Sequence, residues 1–270
     1  MFSPDFTIVL REPQNRMRAM HAQTYGDGHR IFIGYHGWGS EQGRSFKELL
    51  PFLPEDVTLI GVDLPGCGKS ERVEPWGWEH LNDEVARHLD HLPEGKKVTL
   101  VGSCSGVFHA LEVASRRPER IEAIIMLEPF AYMPWYFSIF LKPITGRLLY
   151  KMVFDNPLGK AATSLSMRKK KLNDDFDMVG SFGLGTDLDV AYDYLGFYGA
   201  LTEHGIYKEI DAPIRIIHGQ NTFGAIHESV AMWQENWPSL ELIELEGVGH
   251  MLNQEAPEKT ASAIFSSVGT

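Results

Sequence analysis

Cysteine is scarce in this chain, since the 270 residues contain only two, Cys67 and Cys104. Two cysteines do not make a disulfide framework, and such low usage is typical of a reducing compartment, where a thiol stays reactive. The N-terminal stretch lacks a basic segment followed by a long apolar run, so we expect no secretory signal. No apolar stretch is long enough to span a bilayer. These absences predict a cytoplasmic protein without a membrane span.

Positive charge is also in deficit, with 25 Lys and Arg against 36 Asp and Glu and a formal net charge of −11. A net negative charge disfavours nucleic acid or an anionic membrane as the main partner. Internal repeats and low-complexity tracts are absent, and no pattern suggests a metal or a cofactor. The length suits one large α/β domain with room for an insertion. We therefore expect an enzyme with a small-molecule substrate.

Short β-rich runs alternate with helical patterns over most of the chain. An opening antiparallel pair, "TIVLRE" and "RMRAMHAQTYG", precedes buried runs such as "RIFIGYHG" and "KKVTLVGSC". This alternation predicts a mostly parallel sheet with helices on both faces. Between residues 130 and 206 the alternation gives way to an aromatic-rich helical pattern. We therefore predict a core domain of residues 1–129 and 207–270 with a helical cap inserted at 130–206, where the basic run Arg168–Lys171 forms a solvated helix face.

The stretch "VGSCSGV" at residues 101–107 has the shape of a hydrolase nucleophile turn. In a G-x-Nuc-x-G turn the nucleophile lies midway between two glycines, because the backbone crowds there. Gly102 and Gly106 bracket Cys104, so Ser103 and Ser105 take the two x positions. Cys104 is therefore the candidate nucleophile.

Four motifs at predicted strand ends, in the order "HGWGS", "DLPGCGKS", "GSCSG" and "GVGHMLNQEAPE", resemble the α/β-hydrolase superfamily. The resemblance covers nearly the whole chain outside the cap and implies the α/β-hydrolase fold. It implies that Cys104 lies at a helix start, where the helix dipole raises the thiolate fraction. It also implies an oxyanion hole from the backbone N–H groups of Trp38 and Ser105 and a general base at His250. Cys67 is expected to be non-catalytic.

Two other histidines at predicted strand ends receive structural interpretations. His36 precedes the glycine of the oxyanion loop, and we expect a hydrogen-bonding role for its ring. His218 lies near the end of a later strand and is also expected to be structural.

The triad acid is where the sequence departs from the commonest pattern of this superfamily. The usual acid position holds Thr222, with no carboxylate nearby. Some haloalkane dehalogenases instead place the acid just after the strand that follows the elbow helix, and Glu128 stands there. Asn221 is the alternative, because a Cys–His–Asn set works in papain-like enzymes. We favour Glu128 as the residue that orients His250.

A thiolate in this turn suits acyl transfer. It attacks an ester, thioester or lactone carbonyl and forms an acyl-Cys that passes to water or to another nucleophile. The protein is therefore expected to be an acyl hydrolase or an acyltransferase. Its substrate would be an apolar acyl ester or thioester, free or bound to a carrier, in a pocket lined by Trp38, Trp135, Tyr136, Phe140 and Met251. The same aromatic residues would alternatively form the hydrophobic core of the cap itself.

Two other hypotheses stay open. One is a Ser- or Asp-nucleophile hydrolase in which a cysteine replaces the usual residue at position 104. The other is a non-catalytic ligand-binding member of the fold. Dehalogenation is excluded on chemical grounds, because alkylation of Cys104 would leave a stable thioether.

Overall fold

The computed structural model describes residues 5–11, 17–169, 186–201 and 204–268. Its framework is one sheet of eight strands: β1 Asp5–Arg11, β2 Met17–Tyr25, β3 Arg30–Tyr35, β4 Val57–Val62, β5 Val98–Ser103, β6 Ile121–Leu127, β7 Ile214–Gly219 and β8 Glu241–Leu245. The strands lie in the order β1-β2-β4-β3-β5-β6-β7-β8. β1 pairs antiparallel with β2 and β2 with β4, whereas the six strands from β3 to β8 are parallel. The predicted fold class and the opening antiparallel pair are confirmed.

The parallel strands in the middle of the sheet are buried on both faces. β4 and β7 are buried at every residue, as their continuous apolar sequences require in a sheet covered by helices. The last strand, β8, alternates between more and less exposed residues because it forms the sheet edge. The centre of the sheet is therefore packed on both faces, and its strand ends position the loops that follow them.

Helices cover both faces of the sheet. The α-helices are α1 Gln42–Phe46, α2 Trp78–Arg87, α3 Gly106–Arg116, α4 Trp135–Ser138, α5 Gly146–Phe154, α6 Pro157–Lys169, α7 Leu188–Ala200, α8 Gly224–Asn236, α9 Leu252–Glu255 and α10 Pro257–Phe265. Short 3₁₀ helices span Lys47–Phe52, His88–His91, Pro118–Arg120, Ile139–Leu141 and His204–Tyr207. Helices α2, α3 and α8 bury their apolar residues in one core cluster, and α1 and α10 bury theirs in another. No helix in the described part of the chain is both long and apolar enough to cross a membrane.

The segment between β6 and β7 contributes helices and no strand to the sheet within its described residues. Helices α4 to α7 lie there, and α7 begins at an N-cap aspartate, Asp187, whose carboxylate accepts two backbone N–H groups. Thr186 makes an isolated β-bridge with Cys67. Of the basic run, Arg168 and Lys169 end α6, whereas Lys170 and Lys171 lie outside the described residues.

Helix α7 attaches this segment to the loops at the carboxyl ends of the strands. The Trp38 indole N–H donates to Ala191 O at 2.6 Å, and the Tyr194 hydroxyl donates to Pro65 O at 2.9 Å. The Tyr198 hydroxyl lies 3.1 Å from Nε2 of His109, which is on α3. Helix α7 therefore lies over the carboxyl ends of β3, β4 and β5.

Candidate active site

Cys104 follows β5 directly and precedes α3, in a turn that has space for no side chain at either flanking glycine. A Cβ atom on Gly102 would lie 2.5 Å from the Val107 Cα, and one on Gly106 would lie 2.4 Å from the Tyr35 carbonyl oxygen. Such distances are shorter than van der Waals contacts, so both positions require glycine. The two glycines let α3 begin immediately behind the strand and present Cys104 at its N-terminus.

Cys104 itself carries the strained backbone of this turn, with φ of +54° in the left-handed region that non-glycine residues rarely adopt. Its N–H donates to Leu127 O at 2.8 Å, which continues the β5–β6 ladder by one residue. The loop after β3 packs against the Cys104 side chain, since a Cβ on Gly37 would lie 3.2 Å from the Cys104 Cβ. Cys104 therefore lies between the end of β6 and the loop that carries Trp38.

Glu128 repeats this geometry at the end of the neighbouring strand, β6. Its φ is +51°, and its N–H donates to Ile217 O at 3.0 Å. The carboxylate is buried and turned back toward the ends of the strands, where Oε1 accepts the Gly219 N–H at 2.6 Å. Oε2 lies 2.7 Å from His250 Nδ1. This buried carboxylate is thus fully hydrogen-bonded inside the protein.

Thr222, which occupies the usual acid position, donates its hydroxyl proton to Glu128 Oε2 in a short hydrogen bond. It is a partner of the carboxylate and not a substitute for it. Asn221 is exposed, and its backbone N–H donates to Val248 O at 2.8 Å. The polar atom beside His250 Nδ1 is therefore a Glu128 oxygen.

His250 lies between the thiol and the carboxylate, in the loop after β8, with its side chain 10% exposed. Burial disfavours the imidazolium, but hydrogen bonds to Cys104 and Glu128, together with the negative charge on both, outweigh burial and raise the pKa of His250 to about 10. The rings of Phe223 and Phe130 lie 4.8 and 6.2 Å from the imidazole ring. A protonated His250 beside Cys104 is therefore the favoured form at neutral pH.

Glu255 holds the histidine loop from the other side, a role that the sequence analysis missed. One carboxylate oxygen accepts the Gly249 N–H at 2.6 Å and the other accepts the Met251 N–H at 3.1 Å. Both residues that flank His250 are thus tied to a single side chain on the short helix α9. The signal in the sequence was an acidic residue five positions after the histidine, which alone has no specific meaning.

The residues predicted to line a pocket lie in different surroundings. Tyr136 is 37% exposed, and partial burial and, to a smaller extent, the charge of Cys104 raise its pKa. Trp135, in contrast, is 77% exposed. Phe140 is buried with Tyr150 and Phe154 in a cluster within the helical segment, against which Trp38 also packs. Phe140 thus belongs to the hydrophobic interior of that segment.

The other residues interpreted from the sequence have structural surroundings. Cys67 is buried, and burial raises the pKa of its thiol to about 12. The His36 ring lies 3.0 Å from Gly37 O through Nδ1, and Nε2 accepts the Leu64 N–H at 3.0 Å. Burial also lowers the pKa of His36. This histidine is therefore neutral, and its ring hydrogen-bonds the loop after β3 to the loop after β4.

Comparison with known proteins identifies the family. The model of the family described as "Alpha/beta hydrolase family" matches residues 31–263. The chain belongs to the alpha/beta hydrolase family. The match begins in β3 and ends within α10, so it includes the elbow, Glu128 and His250.

Individual relatives match either a short part of the chain or the whole chain at low identity. The chain is 32% identical over 111 residues to lipase LipV of Mycobacterium tuberculosis, which is 41% of this chain and 41% of that protein. The chain thus spans about two fifths of the length of such curated relatives. A solved thermophilic esterase from Thermogutta terrifontis superposes with a TM-score of 0.75 at 16% identity, covering 97% of both chains. A thioesterase domain from the curacin biosynthetic pathway superposes with a TM-score of 0.67 at 16% identity, covering 98% of this chain and 100% of that one.

Proposed function

We propose that the protein is an enzyme that cleaves carboxylic esters or thioesters with an apolar acyl group through an acyl-Cys104 intermediate. The observation that carries this proposal is the 2.7 Å contact between His250 Nδ1 and the buried Glu128 carboxylate, with Cys104 as a second hydrogen-bonding partner of the same imidazole. A nucleophile, a base and a carboxylate in this order form the constellation of a nucleophilic acyl-transfer enzyme. Membership of the alpha/beta hydrolase family supports the same chemistry.

In the acylation step the Cys104 thiolate attacks the substrate carbonyl carbon. The negative charge moves to the carbonyl oxygen, which the Trp38 and Ser105 backbone N–H groups would bind. Protonated His250 then gives its Nε2 proton to the departing alcohol or thiol as the tetrahedral intermediate collapses. Because the raised pKa keeps His250 protonated at neutral pH, the acid form needed for this transfer is already present.

In the deacylation step neutral His250 accepts a proton from water, and the resulting hydroxide attacks the acyl-Cys104 carbonyl. Collapse of this second intermediate expels the thiolate and releases a carboxylic acid. Glu128 supports both steps, since its Oε2 fixes the ring through Nδ1 and balances the imidazolium charge. If a better nucleophile than water enters, the same acyl-Cys104 passes its acyl group to that nucleophile.

Residues 130–206 act in this proposal as a cap over the nucleophile. Support comes from the hydrogen bond between the Trp38 indole and Ala191, because the loop that carries Trp38 packs against Cys104. The surroundings of His250 are apolar, because the rings of Phe130 and Phe223 lie beside it. An apolar acyl group, carried by a small alcohol, a thiol or a carrier, fits these surroundings better than a sugar.

The direct test is intact-mass spectrometry after short exposure to p-nitrophenyl esters and acyl thioesters of two to ten carbons. We expect one acyl group on Cys104, mapped by peptide digestion, with its decay matching the turnover rate. In His250→Ala we expect turnover to fall at least about a thousandfold, as for other triad bases.

Cys67→Ala is the matched control. The Cys67 thiol is buried and protonated and should take up neither iodoacetamide nor acyl groups, so the variant should be labelled and acylated as the parent is. Cys104→Ser separates a cysteine enzyme from a serine enzyme in which the nucleophile has been replaced. Faster turnover in Cys104→Ser than in the parent would favour the second interpretation. Undiminished turnover in Cys104→Ala would refute the mechanism.

A further inference from the structure

A second group of titratable side chains lies on β7, β8 and α8. His218 on β7 stands opposite Glu244 on β8 in the strand register, and His227 is the fourth residue of α8. One donor atom from each of the three lies within 4.8 Å of the other two. His218 is buried, whereas His227 and Glu244 are exposed. None of them takes part in the proposed acyl-transfer chemistry.

The hydrogen bond of His218 decides which of its ring nitrogens faces the group. Its Nδ1 lies 3.3 Å from Gly219 O, an acceptor, so Nδ1 carries the hydrogen. In the neutral ring Nε2 then presents a lone pair, and it points toward Glu244 Oε2 at 3.9 Å. With His218 neutral, two electron-rich atoms thus face each other, and a bound cation would stabilise such an arrangement. Metal-binding histidines are commonly oriented in this way, with the second ring nitrogen bound to a backbone carbonyl.

The donor set selects the type of cation. Two imidazole nitrogens and one carboxylate oxygen are the ligands that zinc and related transition metals prefer, whereas calcium and magnesium prefer oxygen alone. Tetrahedral zinc with bonds of about 2.0–2.1 Å places its ligand atoms roughly 3.3 Å apart. The exposed side chains of His227 and Glu244 can close the remaining distance by small rotations, while buried His218 stays fixed. A fourth position would face solvent and take water.

We propose that His218, His227 and Glu244 form a binding site for Zn²⁺ or a cation of the same class. The site is linked in space to the triad acid, because the N–H of Gly219, the residue after His218, donates to Glu128 Oε1. A bound cation would tie β7, β8 and α8 together beside the carboxylate that orients His250. Its role is therefore to stabilise this corner of the fold, and it does not depend on the proposed acyl-transfer activity.

The test is isothermal titration of the chelator-treated full chain with ZnCl₂, in a Cys104→Ala background that removes the thiolate as a competing ligand. We expect one Zn²⁺ per chain and a higher melting temperature with zinc. His227→Ala and Glu244→Gln should each weaken binding by at least about tenfold, since each removes one of three protein ligands. Both residues are exposed, so the variants are expected to fold, and circular dichroism checks this.

His91→Ala is the matched control, because His91 is an exposed histidine outside the group, and its zinc affinity should equal that of the parent. Cobalt substitution adds a spectroscopic readout, since tetrahedral cobalt absorbs strongly in the visible range and these ligands include no thiolate. Absence of stoichiometric binding would mean that a proton alone bridges His218 and Glu244, and it would overturn the proposal. Affinity equal to that of the parent in both His227→Ala and Glu244→Gln would place the metal elsewhere and would overturn the proposal as well.

Discussion

The Thr222 hydroxyl and the His250 ring contact the same oxygen atom, Oε2 of Glu128. The position where the alpha/beta hydrolase pattern usually carries the acid is thus occupied by a residue that hydrogen-bonds an acid arriving from another strand. The Glu128 carboxylate reaches His250 Nδ1 from the end of β6. This exchange makes the roles of the two side chains separable by mutation.

Thr222→Val should lower kcat by about tenfold, because it removes one hydrogen bond to a charged group, a contribution of about 1.4 kcal/mol. KM should change little, since Thr222 contacts the carboxylate and not the substrate. Thr222→Ser keeps the hydroxyl and should retain most of the activity. Steady-state kinetics of both variants with one ester substrate checks this. An unchanged kcat in Thr222→Val would show that this hydrogen bond does not orient Glu128.

Glu128→Gln should reduce kcat/KM by about tenfold to a thousandfold, less than in a serine enzyme, because a thiolate–imidazolium pair depends less on a charged third member. Asn221→Ala is the control and should be nearly neutral, since Asn221 is exposed. Adding Thr222→Asp to Glu128→Gln returns a carboxylate to the usual position and should recover part of the loss. A larger loss in Asn221→Ala than in Glu128→Gln would replace the triad with Cys–His–Asn.

The raised pKa of His250 predicts how stability depends on pH. The ordinary value is 6.5 and the folded value is about 10, so the folded protein holds this proton more tightly than the unfolded chain. The resulting stabilisation is complete below about pH 6.5 and is lost as the pH rises toward 10. Urea unfolding of the parent and of His250→Gln at pH 6, 8 and 10 should show a difference that shrinks with pH. A difference that grows with pH would contradict the assignment.

Glu255→Ala should lower kcat severalfold while the protein still becomes acylated at Cys104. The carboxylate ties the N–H groups of Gly249 and Met251, so its loss frees the loop that places His250. Glu258→Ala, an exposed acid on α10, is the control. Kinetics and intact mass together test this, and equal kcat values for the two variants would remove Glu255 from the positioning of His250.

Glycine substitutions should have opposite effects in the elbow and in α7. Gly106→Ala places a methyl group 2.4 Å from a backbone oxygen, so we expect a loss of several kcal/mol or failure to fold. Gly196→Ala meets nothing within 4 Å and lies inside a helix, where alanine is favoured by about 0.5–1 kcal/mol. Thermal unfolding of both variants measures the contrast. Equal stability of the two would show that the elbow is not packed as described.

The strands could be predicted from the sequence because each is marked by the residues of its own short segment. Continuous apolar runs between glycine-rich turns are typical of parallel strands, and β3, β5 and β7 formed where those runs stand. The strand order is not local information, and only the rule for parallel crossovers restricted it.

The site was accessible only in part. Cys104 and His250 stand in motifs with fixed spacing, whereas Glu128 was placed by analogy because a lone carboxylate after a strand has many possible roles. Hydrogen bonds that join distant parts of the chain leave no mark on periodicity, and the bond from Thr222 to Glu128 spans 94 positions. The pocket residues were hardest, since an aromatic side chain such as Phe140 packs equally well inside the helical segment.

The bond from the Trp38 indole to Ala191 joins the loop after β3 to α7. If α7 lifts to admit a substrate, it must break this bond or pull Trp38 with it. The same residue that would donate its backbone N–H to the transition state thus reports, through its side chain, whether the helices above are closed. Indole fluorescence at Trp38 would therefore follow opening directly. The movement that admits the substrate would also move the loop whose backbone N–H binds the carbonyl oxygen.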